Sequence, residues 1–108
     1  MTVSTHVLDA VSGSPAAGLR VALARRAGDG TGWTAVVSAV TDAGGRVRDL
    51  AGPLGTGVYQ LTFETGEYLR GETFYPQVAV IFEIRDAEQH YHVPLLLSPF
   101  AYSTYRGS

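Results

Sequence analysis

Apolar residues in this chain recur at every second position, in runs too short to be helices. Leu19, Val21 and Leu23 alternate with Arg20, Ala22 and Ala24. Tyr59, Leu61 and Phe63 share one parity within Val58 to Glu64, and Val78, Val80, Phe82 and Ile84 form the strongest run, set off by Glu83 and Arg85. Side chains two apart on a strand point the same way, so each run carries one face to bury. Glycine and proline cut the runs apart, at Val11 to Pro15, Gly28 to Gly32, Asp42 to Gly45, Gly52 to Gly57 and Ser98-Pro99. Further strands are expected over Thr2 to Asp9, Trp33 to Thr41, His90 to Leu97 and Ala101 to Tyr105. Asp86 to Gln89 reads as a hairpin turn, and Gly66 to Thr73 has room for one turn of helix. Seven or eight strands without an amphipathic helix call for an all-β sandwich. Sandwich edge strands attract partners, so an oligomer is expected.

With 108 residues the chain fits one domain, residues 1–108, with a modest core. A net charge of −2 lacks the basic footprint of a nucleic-acid binder. The absence of cysteine excludes disulfides, thiolate catalysis and cysteine-based zinc sites. Met1 to His6 has neither the basic start nor the apolar run of a signal peptide, and no segment nears the roughly 20 apolar residues of a membrane helix. The expectation is a soluble, cytoplasmic protein with no membrane partner. All eight basic residues are arginine. Genome composition accounts for that, although arginine also suits two-pronged binding of planar, oxygen-rich groups.

The groups able to do acid–base chemistry are few. His6, His90 and His92 all fall in strand-like contexts. A lone strand histidine is usually structural, but His90 and His92 share a face, with Tyr91 and Val93 on the other. Three histidines also suit a zinc site built from an H-x-H pair and a remote ligand, although no acidic residue neighbours them at a telling spacing. Arg46 and Arg48 follow a glycine turn and face together. They are either a solvated pair or a clamp for an anion or carbonyl. None of the serines sits in a nucleophile-elbow motif, which favours direct attack by water over an acyl-enzyme. The tail Tyr102 to Ser108 is polar and aromatic, and its two tyrosines suggest that it is tied down.

Four blocks, in order along the chain, resemble the 5-hydroxyisourate hydrolases, the transthyretin-related proteins of urate breakdown. They are Ser4-Thr5-His6-Val7-Leu8-Asp9, Thr41-Asp42-Ala43-Gly44-Gly45-Arg46, the stretch from Thr73-Phe74-Tyr75-Pro76 through His90-Tyr91-His92-Val93-Pro94 to Pro99, and the tail Tyr105-Arg106-Gly107-Ser108. The resemblance implies a transthyretin-like Greek-key β-sandwich with at most one short helix. It implies a homotetramer, a dimer of dimers with sites at the channel between dimers. It also implies cofactor-free hydrolysis of 5-hydroxyisourate to 2-oxo-4-hydroxy-4-carboxy-5-ureidoimidazoline, with no metal. By position, the family's functional residues fall on His6, Arg46, His92 and Ser108, with Tyr105 and Arg106 beside the substrate and His90 in a role left open. Two departures are visible: the connection from Tyr68 to Phe74 is shorter than is usual in the family, and Ala101 stands where glycine is commoner.

In the implied chemistry a neutral imidazole, His6 or His92, takes a proton from water. Arg46 holds the ring oxygens and the developing oxyanion. Ser108 contributes its hydroxyl, and a terminal carboxylate if the chain ends there, to orient a histidine or the water. Two rivals remain: a non-enzymatic carrier of small ligands in a central channel, and a zinc-dependent hydrolase using the three histidines.

Overall fold

The computed structural model describes residues 3–51 and 53–108. Thr2 of the first expected strand, Met1 and Gly52 lie outside the described residues. Among the described residues, nine strands form two sheets, and one short helix lies in a connection. The first sheet contains β1 (Val3–Asp9), β2 (Ser14–Pro15), β5 (Arg46–Val47), β8 (Tyr91–Ser98) and β9 (Ala101–Thr104). Its order is β2-β1-β8-β9, with β5 beside β2 on the same edge of β1. The second contains β3 (Arg20–Arg26), β4 (Trp33–Val40), β6 (Gly57–Phe63) and β7 (Val78–Ile84), in the order β4-β3-β6-β7. The helix α1 (Thr65–Tyr68) is four residues long, in the connection where the sequence left room for a single turn.

Period-two alternation decides what lies between the sheets. Val21 and Leu23 of β3, Tyr59, Leu61 and Phe63 of β6, Val78 and Ile84 of β7, and Leu95 and Leu97 of β8 are buried. Burying each large apolar side chain contributes roughly 1.5–3 kcal/mol. Buried polar groups are paired: Thr5 Oγ1 donates to the Val93 carbonyl at 2.6 Å, Thr41 Oγ1 to the Ala16 carbonyl at 2.6 Å, and Thr65 Oγ1 to the Tyr75 carbonyl at 2.6 Å. An extra residue in β4, opposite the Leu23/Ala24 step of β3, bulges that edge.

Three expectations change. Asp86 to Gln89 does turn, but β7 and β8 do not pair across it: β7 lies along β6, and β8 lies between β1 and β9. The segment therefore carries the chain from one sheet to the other. The Tyr91 hydroxyl anchors it, accepting the Asp86 amide at 3.1 Å and donating to the Asp86 carbonyl at 3.2 Å. Ser14–Pro15, read as turn, closes a hairpin onto Leu8 and Asp9; proline suits this edge position because its partnerless nitrogen can face outward. His90 precedes β8 rather than opening it.

Candidate active site

The site follows from which way three strands turn their side chains. On β1, Val3, Thr5 and Val7 are buried in the sandwich, so Ser4 and His6 take the outer face. On β8, Tyr91, Val93 and Leu95 point inward, so His92 points out. β1 and β8 run parallel with Ser4 opposite His92, and β5 runs antiparallel to β1 with Arg46 opposite His6. Opposed residues share a face, so these pairings gather one serine, two histidines and one arginine on the same surface.

The turn before β5 fixes Arg46. The Asp42 carboxylate accepts the amides of Gly44 at 2.9 Å and Arg46 at 3.0 Å. Those bonds, the Arg46 amide first, together with the charges of Arg48 and Arg46, hold its pKa below the ordinary aspartate value although burial pushes the other way. Gly45 has φ of 73°, and its carbonyl accepts the Val7 amide at 2.7 Å. A Cβ at Gly45 would lie 2.5 Å from the Val7 carbonyl oxygen, so only glycine allows the turn to sit this close to β1.

A polar pocket results, lined by Ser4, Thr5, Arg46, Arg48, His90, His92 and Ser108. Ser4 Oγ lies 2.7 Å from His92 Nδ1 and 2.8 Å from His90 Nε2. The tail crosses the far side of His92: the Gly107 amide donates to the His92 carbonyl at 2.9 Å in an antiparallel bridge. Gly107 lies close to the imidazole: a Cβ there would overlap Cδ2 of the ring and press on Cγ at 3.2 Å. Burial lowers the His92 pKa, and the nearby positive charges of His6, His90 and Arg46 lower it further, while the Ser4 backbone opposes them. His92 is thus biased to the neutral form near pH 7.

The structure brings Arg46, His92 and Ser108 together and sets His6 beside them, across from Arg46. Tyr105 and Arg106 are placed differently. They line a second, apolar cavity with Val80 and Phe82 of β7 and Tyr91 and Val93 of β8, and His92 is common to both cavities. The Arg106 guanidinium stacks over the Tyr91 ring at 4.7 Å and donates to Gln89 Oε1 at 2.9 Å. Ser4 and Gly107 stand inside the quoted blocks but received no role from the sequence. For Ser4 the signal was present, since it lies two residues from His6 and so shares its face. Among the described residues, no group of three histidine, aspartate or glutamate side chains could hold a metal ion; His90 and His92 both direct a ring nitrogen at Ser4 instead.

Such a pocket can hold an oxygen-rich planar molecule against two guanidinium groups and present an imidazole to it. In sequence and fold the chain is similar to known hydrolases and to transthyretin. The chain is 48% identical to a probable 5-hydroxyisourate hydrolase of Caenorhabditis elegans, over 99% of this chain and 82% of the relative. It is 44% identical to the 5-hydroxyisourate hydrolase of Caulobacter vibrioides, over 98% of this chain and 97% of that one. The fold superposes on a solved 5-hydroxyisourate hydrolase from Klebsiella pneumoniae with a TM-score of 0.87 and 38% identity, covering 100% of both chains. It superposes on sea bream transthyretin in complex with thyroxine with a TM-score of 0.91 and 33% identity, covering 99% and 95%. Residues 3–107 match the profile of the HIUase/Transthyretin family, and the chain belongs to that family.

Proposed function

We propose that this chain hydrolyses 5-hydroxyisourate in urate breakdown, and that the pocket of Arg46, Arg48, His92 and Ser108 is where it does so. The observation that carries the reading is a half-buried imidazole, held neutral, facing a pocket with two guanidinium groups. His92 is the general base. It takes a proton from water as the water oxygen bonds to the ring carbonyl carbon. The carbonyl electrons move onto oxygen, where the fixed charge of Arg46 meets them. Collapse of that oxyanion breaks the C–N bond, and the leaving nitrogen receives the proton from His92. His6, across the strand pair from Arg46, orients substrate on the other side of the pocket, and the Ser108 hydroxyl positions the water. Tyr105 and Arg106 hold the tail in place from the neighbouring cavity, beside the substrate rather than under it.

Residues 1–108 act as one hydrolase domain in the cytoplasm. It assembles as a homotetramer, a dimer of dimers, through the free edges of β7 and β9. Each edge strand pairs on one side only, β9 is exposed throughout, and Ile81 in β7 is 55% exposed.

Purified protein should accelerate the decay of freshly generated 5-hydroxyisourate, followed by ultraviolet absorbance. His92→Ala and Arg46→Ala should each lower kcat/KM by about 100-fold or more with an unchanged circular dichroism spectrum. Full activity in both variants overturns the assignment. The likeness to a thyroxine-bound transthyretin supports one other reading, a carrier; thyroxine binding without turnover of hydroxyisourate would favour it.

A further inference from the structure

The Ser4 hydroxyl sits between two imidazoles, with Oγ 2.8 Å from His90 Nε2 and 2.7 Å from His92 Nδ1. Both distances are hydrogen bonds, yet a hydroxyl has one proton to give. It donates to one ring and must accept from the other, so the protonation of the two rings is linked through a single oxygen. We propose that Ser4 is a positioning residue for His92: its O–H donates to His90 Nε2, its lone pair accepts His92 Nδ1–H, and His92 is thereby held in the tautomer whose Nε2 carries a free lone pair. This assignment rests on His92 being the base.

The ring geometry points the same way. Nδ1 is tied to Ser4 and the Cδ2 edge is packed against Gly107, so the outer Cε1–Nε2 edge is the part left to meet a bound molecule. The backbone of Ser4 favours the protonated form of His92, in keeping with an acceptor beside the ring. The opposite arrangement, with Ser4 donating to His92 Nδ1, would put the hydrogen on Nε2 and leave His92 nothing with which to take a proton from water. When His92 takes that proton its Nδ1–H bond to Ser4 need not break, and the oxygen lone pair it already faces stabilises the imidazolium. Ser4 is 7% exposed, so bulk water has little access to the hydroxyl.

Nitrogen-15 NMR of histidine-labelled protein, combined with steady-state kinetics, tests this. The unmodified protein should show His92 protonated at Nδ1. Ser4→Ala should mix the two tautomers and lower kcat by roughly 10- to 100-fold, with KM within about twofold. Ser4→Thr keeps the hydroxyl and should restore both the tautomer and most of kcat. His90→Phe should release the Ser4 proton toward His92 and shift its spectrum to the Nε2–H form. An Nε2–H tautomer in the unmodified protein overturns the proposal. So does a folded Ser4→Ala variant with unchanged spectrum and kcat, or a Ser4→Thr variant as impaired as the alanine. If the unmodified protein shows the Nδ1–H tautomer but does not turn over hydroxyisourate, the reading of the substrate fails and the arrangement of the two rings stands.

Discussion

Gly107 matters for what it lacks. Its bare Cα lies against the His92 ring, so a methyl group there must push the ring or the tail aside. Because Gly107 is only half-buried, in a segment that is otherwise exposed, and its φ is not positive, Gly107→Ala should change stability by less than about 1 kcal/mol. The same change should lower kcat by about tenfold or more, since a ring displaced by about 1 Å loses its line of approach. Matched thermal melts and turnover assays separate the two effects. The depressed pKa of His92 carries a second expectation. A base is active when neutral, and a lowered pKa keeps it neutral to lower pH than a free histidine. The acid limb of kcat/KM should therefore fall below the ordinary histidine range, and a limb above it would mean that another group is the base. Stability responds in the same window. The unfolded histidine binds protons that the folded one refuses, so the fold loses stability as pH falls through the ordinary histidine value and this loss stops below the folded pKa.

At the scale of elements, the segment from Arg85 to His90 hands the chain from one sheet to the other, and the Tyr91 hydroxyl holds its start. Tyr91→Phe removes those bonds but keeps the ring under Arg106. It should cost about 1–2 kcal/mol in chemical denaturation, mostly from backbone groups left without that partner. The long strands were legible because their alternation ran for seven or eight residues: Tyr59, Leu61 and Phe63 are all buried as their parity implied. β2 and β5 are two residues each, too short for any period to register, and β5 was legible only as the outcome of the Asp42 turn. The change of sheet at Asp86 was illegible for another reason. Turn residues announce that a chain bends, while the choice of the next strand's neighbour is made by distant β1. The same limit applies to the tail. Nothing local in Tyr105 to Ser108 tells which cavity each residue meets: Tyr105 and Arg106 line the apolar cavity, and Ser108 lines the polar one.

Viewed whole, the described residues leave three sheet edges that carry exposed apolar side chains, β4 and β7 in one sheet and β9 in the other. A lysine on such an edge blocks pairing without entering the core. Ile81→Lys should shift the protein toward smaller species in sedimentation velocity while the far-ultraviolet spectrum stays that of a β-protein. An unchanged tetramer would move the contact elsewhere.

The parallel pairing of β1 with β8 has a consequence for how the molecule is made. The two strands that hold Ser4 and His92 are separated by 88 positions along the chain. Contacts so distant in sequence form late, because the loop between them must close first. During synthesis β1 emerges early and waits without β8 beside it until most of the chain has followed. A ribosome that stalls before residue 92 releases a product with β1 but no facing imidazole, and so with no chemistry. Activity is in that sense a report on translation: only polypeptides elongated through both strands, and through the glycine that seats the ring, acquire it.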